Sequence, residues 1–247
     1  MVTRSLNIFF IVAALSFVPA PVRADAIVPG AFAAVDGNTN NVFPFGASTN
    51  GFRYQQVYAA AEFGPAAIWI DAILFRPERG GVGPFVKSFA AVQLNLSTTS
   101  VAPDGLSTTF AANVGADNTM VRSGPLTLSS LDVAGPGNTR AFDILIPFAL
   151  PFLYNPTLGN LLIDFRVSGT TVSAKPFDAQ LTAGDSVSRR YALDANALVG
   201  LSGDTLGLVT QFQTQAVNAV PDMSSSLPLF TMAIGAIVAA QRRMMSV

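Results

Sequence analysis

Carboxylate side chains are the groups in this chain that could do acid–base chemistry. The sequence contains neither histidine nor cysteine, so it can build neither a Ser-His-Asp triad nor a Cys-His pair. A glycosidase needs only two carboxylates. The acidic residues are scattered, however, and no pair stands out among Glu62, Asp71, Glu78, Asp143 and Asp164. Solvated or turn-capping roles explain each of them, so we expect no enzymatic activity and no catalytic residue; a secreted hydrolase is the third-ranked function.

Oxygen ligands are the remaining option for a metal, because histidine and cysteine are absent. Carboxylate and amide oxygens are concentrated in residues 36–41 and in Asp117-Asn118. Neither segment has the spacing of an EF-hand loop, and Asp, Asn and Gly are also the commonest turn residues. We expect no cofactor and no metal site, with calcium as the minor alternative.

Aromatic side chains could form a sugar-binding platform, because their rings cover the apolar face of a pyranose. We single out Tyr54 and Tyr58 as candidate sugar contacts. Trp69 lies in the most hydrophobic predicted strand, where a core position is expected for a large ring. A carbohydrate-binding module is therefore the alternative function, and it rests on analogy with other β-sandwich domains.

Alternation of apolar and polar residues predicts the strands that must position these groups. In residues 92–97, Val92, Leu94 and Leu96 alternate with polar residues, so one face is buried and the other is solvated. Residues 161–168 and 206–213 follow the same pattern. Residues 68–75 and 141–146 carry bulky apolar side chains on both faces, as central strands do. Turn residues separate the strands, at 77–83, 102–105, 135–138 and 155–156.

This pattern predicts an all-β body over residues 25–219. The expected architecture is a two-sheet antiparallel β-sandwich, jelly-roll-like, with an N-terminal signal helix and a C-terminal transmembrane sorting helix; a closed barrel is the alternative. Between Asp25 and Ala219 there are ten basic and fourteen acidic residues. The one basic pair, Arg189-Arg190, is predicted to be a solvated strand end, so we expect no nucleic-acid partner.

The amino terminus has the three parts of a secretory signal peptide. Arg4 supplies the positive charge, Ile8 to Val18 form the apolar segment, and small residues follow. Signal peptidase is expected to cleave after Ala24, giving a signal peptide of residues 1–24, with cleavage after Ala26 as the alternative.

The carboxyl terminus, residues 220–247, has the order of a membrane stop signal. An apolar run over 227–240 is predicted to be a transmembrane helix, although fourteen residues reach only about 21 Å of a hydrocarbon core of about 30 Å. Arg242 and Arg243 follow it and are expected to stay on the cytoplasmic side, so the body lies outside.

This tail resembles the PEP-CTERM sorting signal of bacterial surface proteins. The matching residues are the sorting motif Val220, Pro221 and Asp222, the serines that follow, the apolar run, and the pair Arg242 and Arg243. Asp222 stands where the family usually has glutamate, and Met223 where it has a second proline. The resemblance implies processing by an exosortase-like enzyme in a bacterium that makes exopolysaccharide.

The body is similar to a recurrent domain of uncharacterised PEP-CTERM proteins over most of residues 50–215. Segments 53–58, 102–110, 184–189 and 204–210 carry that likeness, and it implies no particular activity. The sequence therefore predicts an exported protein, first anchored in the membrane by its C-terminal helix and then held at the cell surface or in the extracellular matrix as a structural component. Exopolysaccharide is the partner that the alternative function implies.

Overall fold

The computed structural model describes residues 23–80, 83–201 and 203–217. The predicted signal peptide and sorting tail, including Val220, Pro221, Asp222, Arg242 and Arg243, lie outside this part except for Arg23 and Ala24. Twelve strands are formed: β1 Arg23–Val28, β2 Thr39–Asn41, β3 Phe52–Tyr58, β4 Ile68–Phe75, β5 Phe85–Thr99, β6 Thr119–Ser130, β7 Ile144–Tyr154, β8 Asn160–Ser168, β9 Phe177–Leu181, β10 Val187–Ala192, β11 Leu206–Leu208 and β12 Thr210–Ala216.

The helical segments of the described residues are short 3₁₀ turns between strands, at Gly30–Phe32, Ala60–Phe63, Phe110–Asn113, Pro136–Asn138 and Pro156–Leu158. None of them has the length and apolar character needed to cross a membrane. The prediction of an all-β body is confirmed.

The strands form three sheets, and the strand pairs within them are antiparallel. A four-stranded sheet has the order β1-β12-β4-β7, and a five-stranded sheet has the order β10-β3-β8-β5-β6. A small third sheet has the order β11-β9-β2. The body is therefore sandwich-like, with two large sheets and a short flanking one.

One hydrophobic core joins the two large sheets. Inward side chains of the four-stranded sheet, such as Ile70 and Phe212, belong to the same buried cluster as Leu94 and Phe165 of the five-stranded sheet. The rings of Tyr58 and Phe212 meet edge to face across the interface with centroids 4.9 Å apart, a geometry that aromatic pairs favour. Because the chain has no cysteine, no disulfide supplements this burial of apolar surface.

The structure confirms several predicted strands and corrects others. Residues 68–75 form β4, and 92–97 lie inside β5 with the predicted apolar face buried. Residues 206–213 are not one strand: the chain leaves the small sheet after Leu208 and enters the four-stranded sheet at Thr210. A short alternating pattern cannot reveal such a change of sheet, because the alternation of apolar and polar residues looks the same whichever sheet a strand joins.

The first and last described strands are direct neighbours. In the β1–β12 pair, Arg23 lies opposite Gln215 and Val28 opposite Thr210. The chain therefore enters and leaves the folded body at one end of the four-stranded sheet.

Candidate functional site

A polar groove crosses the outer face of the five-stranded sheet. It has two lobes, of about 350 Å³ and 260 Å³, which share Gln93 and Arg166. The first lobe is also lined by Arg53, Asn95, Ala111, Val114, Asn118 and Asp164, and the second by Ala91, Val92, Ser123, Gly124, Ser168 and Asn196. We call these residues the polar groove.

The register of four strands brings the floor of the groove together. Arg166 of β8 lies opposite Arg53 of β3 on one side and opposite Gln93 of β5 on the other, and Gln93 in turn lies opposite Ser123 of β6. These residues come from positions far apart in the chain, and they form one continuous row because side chains directly opposite one another share a face.

A buried ion pair fixes the inner wall of the groove. Nε of Arg53 donates to Oδ1 of Asp164 at 3.3 Å, and Nη2 donates to Oδ2 at 2.9 Å. Nη1 of Arg53 donates to the carbonyl of Ala197 at 3.0 Å, and its guanidinium carbon lies 4.5 Å from the centre of the Phe110 ring. Both side chains of the ion pair are almost fully buried. The two-point contact holds both groups in one geometry.

An amide network supports that ion pair from below. Nε2 of Gln55 donates to Oδ2 of Asp164 at 2.8 Å and to the carbonyl of Phe110, while Oε1 of Gln55 accepts from Asn113 at 2.9 Å. Asn113 also bonds to the backbone of Ser107 in both directions. The loop over residues 107–113 is thereby fastened onto the outer face of the sheet near Asp164. Leu162, on the same face, packs with Val57 and Leu106, so both Leu162 and Asp164 are buried on the face predicted to be solvated.

Side-chain amides form a second row along the groove. Nε2 of Gln93 donates to Oδ1 of Asn95 at 2.7 Å, and Nδ2 of Asn95 donates to Oδ1 of Asn118 at 3.2 Å. The β5–β6 register shifts just before this row, between Phe89 and Val92, and again within it, between Leu94 and Asn95. Bulges of this kind redirect side chains next to binding sites.

Arg166 is the cation at the centre of the groove. It is half-buried and belongs to both lobes. Asp164, the one carboxylate among the lining residues of the groove, is paired with Arg53. Within the described residues, the charge of Arg166 is therefore not matched by an ion pair.

The prediction that Tyr54 and Tyr58 contact a sugar is wrong. Both side chains are fully buried in the core, because β3 is covered on both faces. The hydroxyl of Tyr54 donates to Gln56, and the hydroxyl of Tyr58 shares a hydrogen bond with Thr210. Burial raises the pKa of both phenols, so they are neutral hydrogen-bonding groups inside the protein.

Trp69 also departs from its predicted place. Its side chain is 36 % exposed on the outer face of β4, opposite Leu153 and Gln215, whereas the sequence predicts a core position. The alternation of β4 is interrupted between Ile70 and Ala72, so the apolar run supplies Ile70 and Ile73 to the core and leaves Trp69 outside it.

The loop that was considered for calcium is used to attach β2 to its neighbours. Asn38 bonds to the backbone of Leu181, and Asn41 bonds to the backbone of Phe43. Asp117 accepts from the backbone of Thr98. No group of three or more acidic side chains in the described part of the chain is arranged to hold a metal ion.

A second buried ion pair secures the same loop. Arg76 and Asp178 are both fully buried and lie 2.5 Å apart, and Arg76 donates to the carbonyl of Val35 at 2.7 Å. Burial, together with the negative charges of Asp36 and Asp178, raises the pKa of nearby Glu78 to about 7. Of the carboxylates considered for catalysis, Asp143 and Glu62 accept backbone N–H groups and Asp71 accepts from Gln215.

The basic pair Arg189-Arg190 is not a solvated strand end, so this prediction is wrong. Both side chains are buried. Arg189 contacts both carboxylate oxygens of Asp204 at 2.8 Å, while Arg190 donates to the carbonyls of Leu201 and Leu106. These arginines hold the loop after β10 to the edge of the five-stranded sheet.

Comparison with family models, with curated proteins and with solved structures gives no match. Four central groove residues are recognisable in the sequence only as polar positions of alternating strands. Gln93, Asn95, Asp164 and Arg166 were assigned to an outward face, but alternation within one strand does not tell which strand lies beside it.

Proposed function

We propose that this chain is an exported structural protein whose β body is displayed at the cell surface or in the extracellular matrix. The observation that supports it is the pairing of β1 with β12. Four of the six residues of β1, residues 25–28, stay paired with β12 after the predicted cleavage at Ala24, and β12 ends at Ala216, before the predicted sorting tail. The signal peptide and the sorting tail can therefore both be removed by processing enzymes at the one end where the chain enters and leaves.

Intact mass spectrometry of the protein recovered from native cells tests this proposal. We expect a mature chain that begins near Asp25, after signal peptidase cleavage, and that ends near Val220, after cleavage by an exosortase-like enzyme. Recovery of the full-length chain from the cytosol would contradict it.

The strand orders support a jelly roll as the detailed architecture. If β1, β3, β4, β5, β6, β7, β8 and β12 are lettered B to I, the two large sheets read B-I-D-G and C-H-E-F, with β10 added beside C. This is the order produced by two Greek keys folded together. Strands β9 and β11, inserted between H and I, form the small third sheet together with β2.

Carbohydrate binding is the second candidate function, and the polar groove favours it. The groove is hundreds of cubic ångströms in volume, as small-molecule sites are. It offers amides, hydroxyls and guanidinium groups, which pair with the hydroxyls of a sugar. Binding of the full chain to immobilised polysaccharides is the direct measurement. If the chain binds none of them, carbohydrate binding is contradicted and the structural role is the remaining proposal.

A further inference from the structure

We propose that the polar groove binds an acidic polysaccharide and that Arg166 holds the carboxylate of a uronic acid unit. This inference rests on the second proposed function and adds the charge of the ligand. It follows from the distribution of charge and hydrogen-bonding groups along the groove.

Charge pairing singles out Arg166 among the groove cations. Arg53 is neutralised by Asp164 in a two-point contact and is fixed by Ala197. Arg166 stands opposite Arg53 in the β3–β8 register, so two like charges lie side by side and only one has an anionic partner in the described structure. A bound carboxylate would supply the second anion, and a guanidinium fork matches a carboxylate geometrically.

The position of Arg166 favours a polymer over a small anion. It lies where the two lobes join, so a carboxylate at this point has groove on both sides. In the first lobe, the amide row of Gln93, Asn95 and Asn118 would face the sugar units next to the bound uronic acid. In the second lobe, Ser123 and Ser168 offer hydroxyl groups and Asn196 offers an amide.

The lining also favours hydrogen bonding over ring stacking. None of the described residues that line either lobe is aromatic, and the ring of Phe110, which contacts Arg53, is fully buried. Such a site recognises its ligand by charge and hydrogen bonds, and its affinity should therefore fall as salt is added.

Affinity electrophoresis and calorimetry of the full chain in mild detergent test the inference with polygalacturonate, dextran and dextran sulfate. We expect polygalacturonate to bind, dextran to bind at least tenfold more weakly, and Arg166→Gln to weaken polygalacturonate binding about tenfold or more. Arg79→Gln is the matched control. It removes the same charge from an exposed turn outside the groove, and we expect it to leave binding unchanged.

Three outcomes would overturn the inference. Equal loss in Arg166→Gln and Arg79→Gln would mean that binding depends on net charge. If dextran and polygalacturonate bind equally well and Arg166→Gln changes neither, carbohydrate binding is supported but the preference for an acidic ligand is contradicted. Tighter binding of dextran sulfate than of polygalacturonate would mean that the groove prefers a sulfate group to a carboxylate. The mass-spectrometric test of export is independent of all three.

Discussion

Buried arginines are the residues that shape this protein's outer faces. Arg53, Arg76, Arg189 and Arg190 are each at most 9 % exposed, and each donates from its side chain to a loop carbonyl, to a carboxylate or to both. A long planar donor can satisfy several acceptors at once, which a surface loop needs when it is packed against a sheet. In the groove, Arg53 takes up the one lining carboxylate, Asp164, so Arg166 is the groove cation without an ion pair in the described structure.

Removing one partner of the Arg53–Asp164 pair should be strongly destabilising. Arg53→Met leaves the Asp164 carboxylate buried with only Gln55 as a side-chain donor, so we expect a loss of about 3 kcal/mol in the free energy of unfolding. Urea denaturation followed by circular dichroism measures it.

The matched control is the double variant Arg53→Met with Asp164→Leu, which removes both charges. We expect it to cost less than Arg53→Met alone, because no unpaired charge stays buried. A loss below about 1 kcal/mol in the single variant would mean that water reaches Asp164 and screens its charge.

At the scale of elements, β1 is the strand that closes the four-stranded sheet. Val28 is fully buried, and Ala26 packs against the core opposite Phe212. Cleavage after Ala24 removes two residues of β1 but leaves Ala26 and Val28 in place, whereas cleavage after Ala26 also removes Ala26 and shortens the pairing with β12 further. The fold therefore favours the Ala24 site among the two that the sequence allows.

Truncation of β1 tests its contribution. We compare chains that start at Asp25, Ile27 and Pro29 and end at Val217. We expect thermal stability to fall in that order, because loss of the Val28 side chain alone removes roughly 1.5–3 kcal/mol of apolar burial and exposes the edge of β12 to other chains. Equal melting temperatures for the Asp25 and Pro29 chains would show that β1 is dispensable.

At the scale of the whole molecule, the absence of cysteine makes the location of the body directly measurable. A single cysteine at Leu198, which is 75 % exposed, should react with a membrane-impermeant maleimide on intact native cells if the body is displayed outside. Val121→Cys is the control, because Val121 is fully buried and should react only after denaturation. Labelling of Leu198→Cys only after cell lysis would contradict surface display.

The all-β class and the inward faces of the clearest strands follow from local patterns in the sequence. Period-two alternation in 92–97 and 161–168 predicted which side chains enter the core, and the turn clusters predicted where strands end, because both signals are local. The prediction from alternation is wrong at Trp69, where a register irregularity turns an apolar residue outward, and at Val209, where the chain changes sheet.

The polar groove depends on long-range strand pairing. Arg53, Gln93 and Arg166 lie on three strands that are distant in sequence and adjacent in the sheet, and adjacency depends on long-range pairing that no local pattern encodes. The sequence predicts Tyr54 and Tyr58 to be sugar contacts, but the covering of β3 on both faces buries them. Residue type could be seen in the sequence; exposure and neighbours were fixed by how the sheets and loops pack.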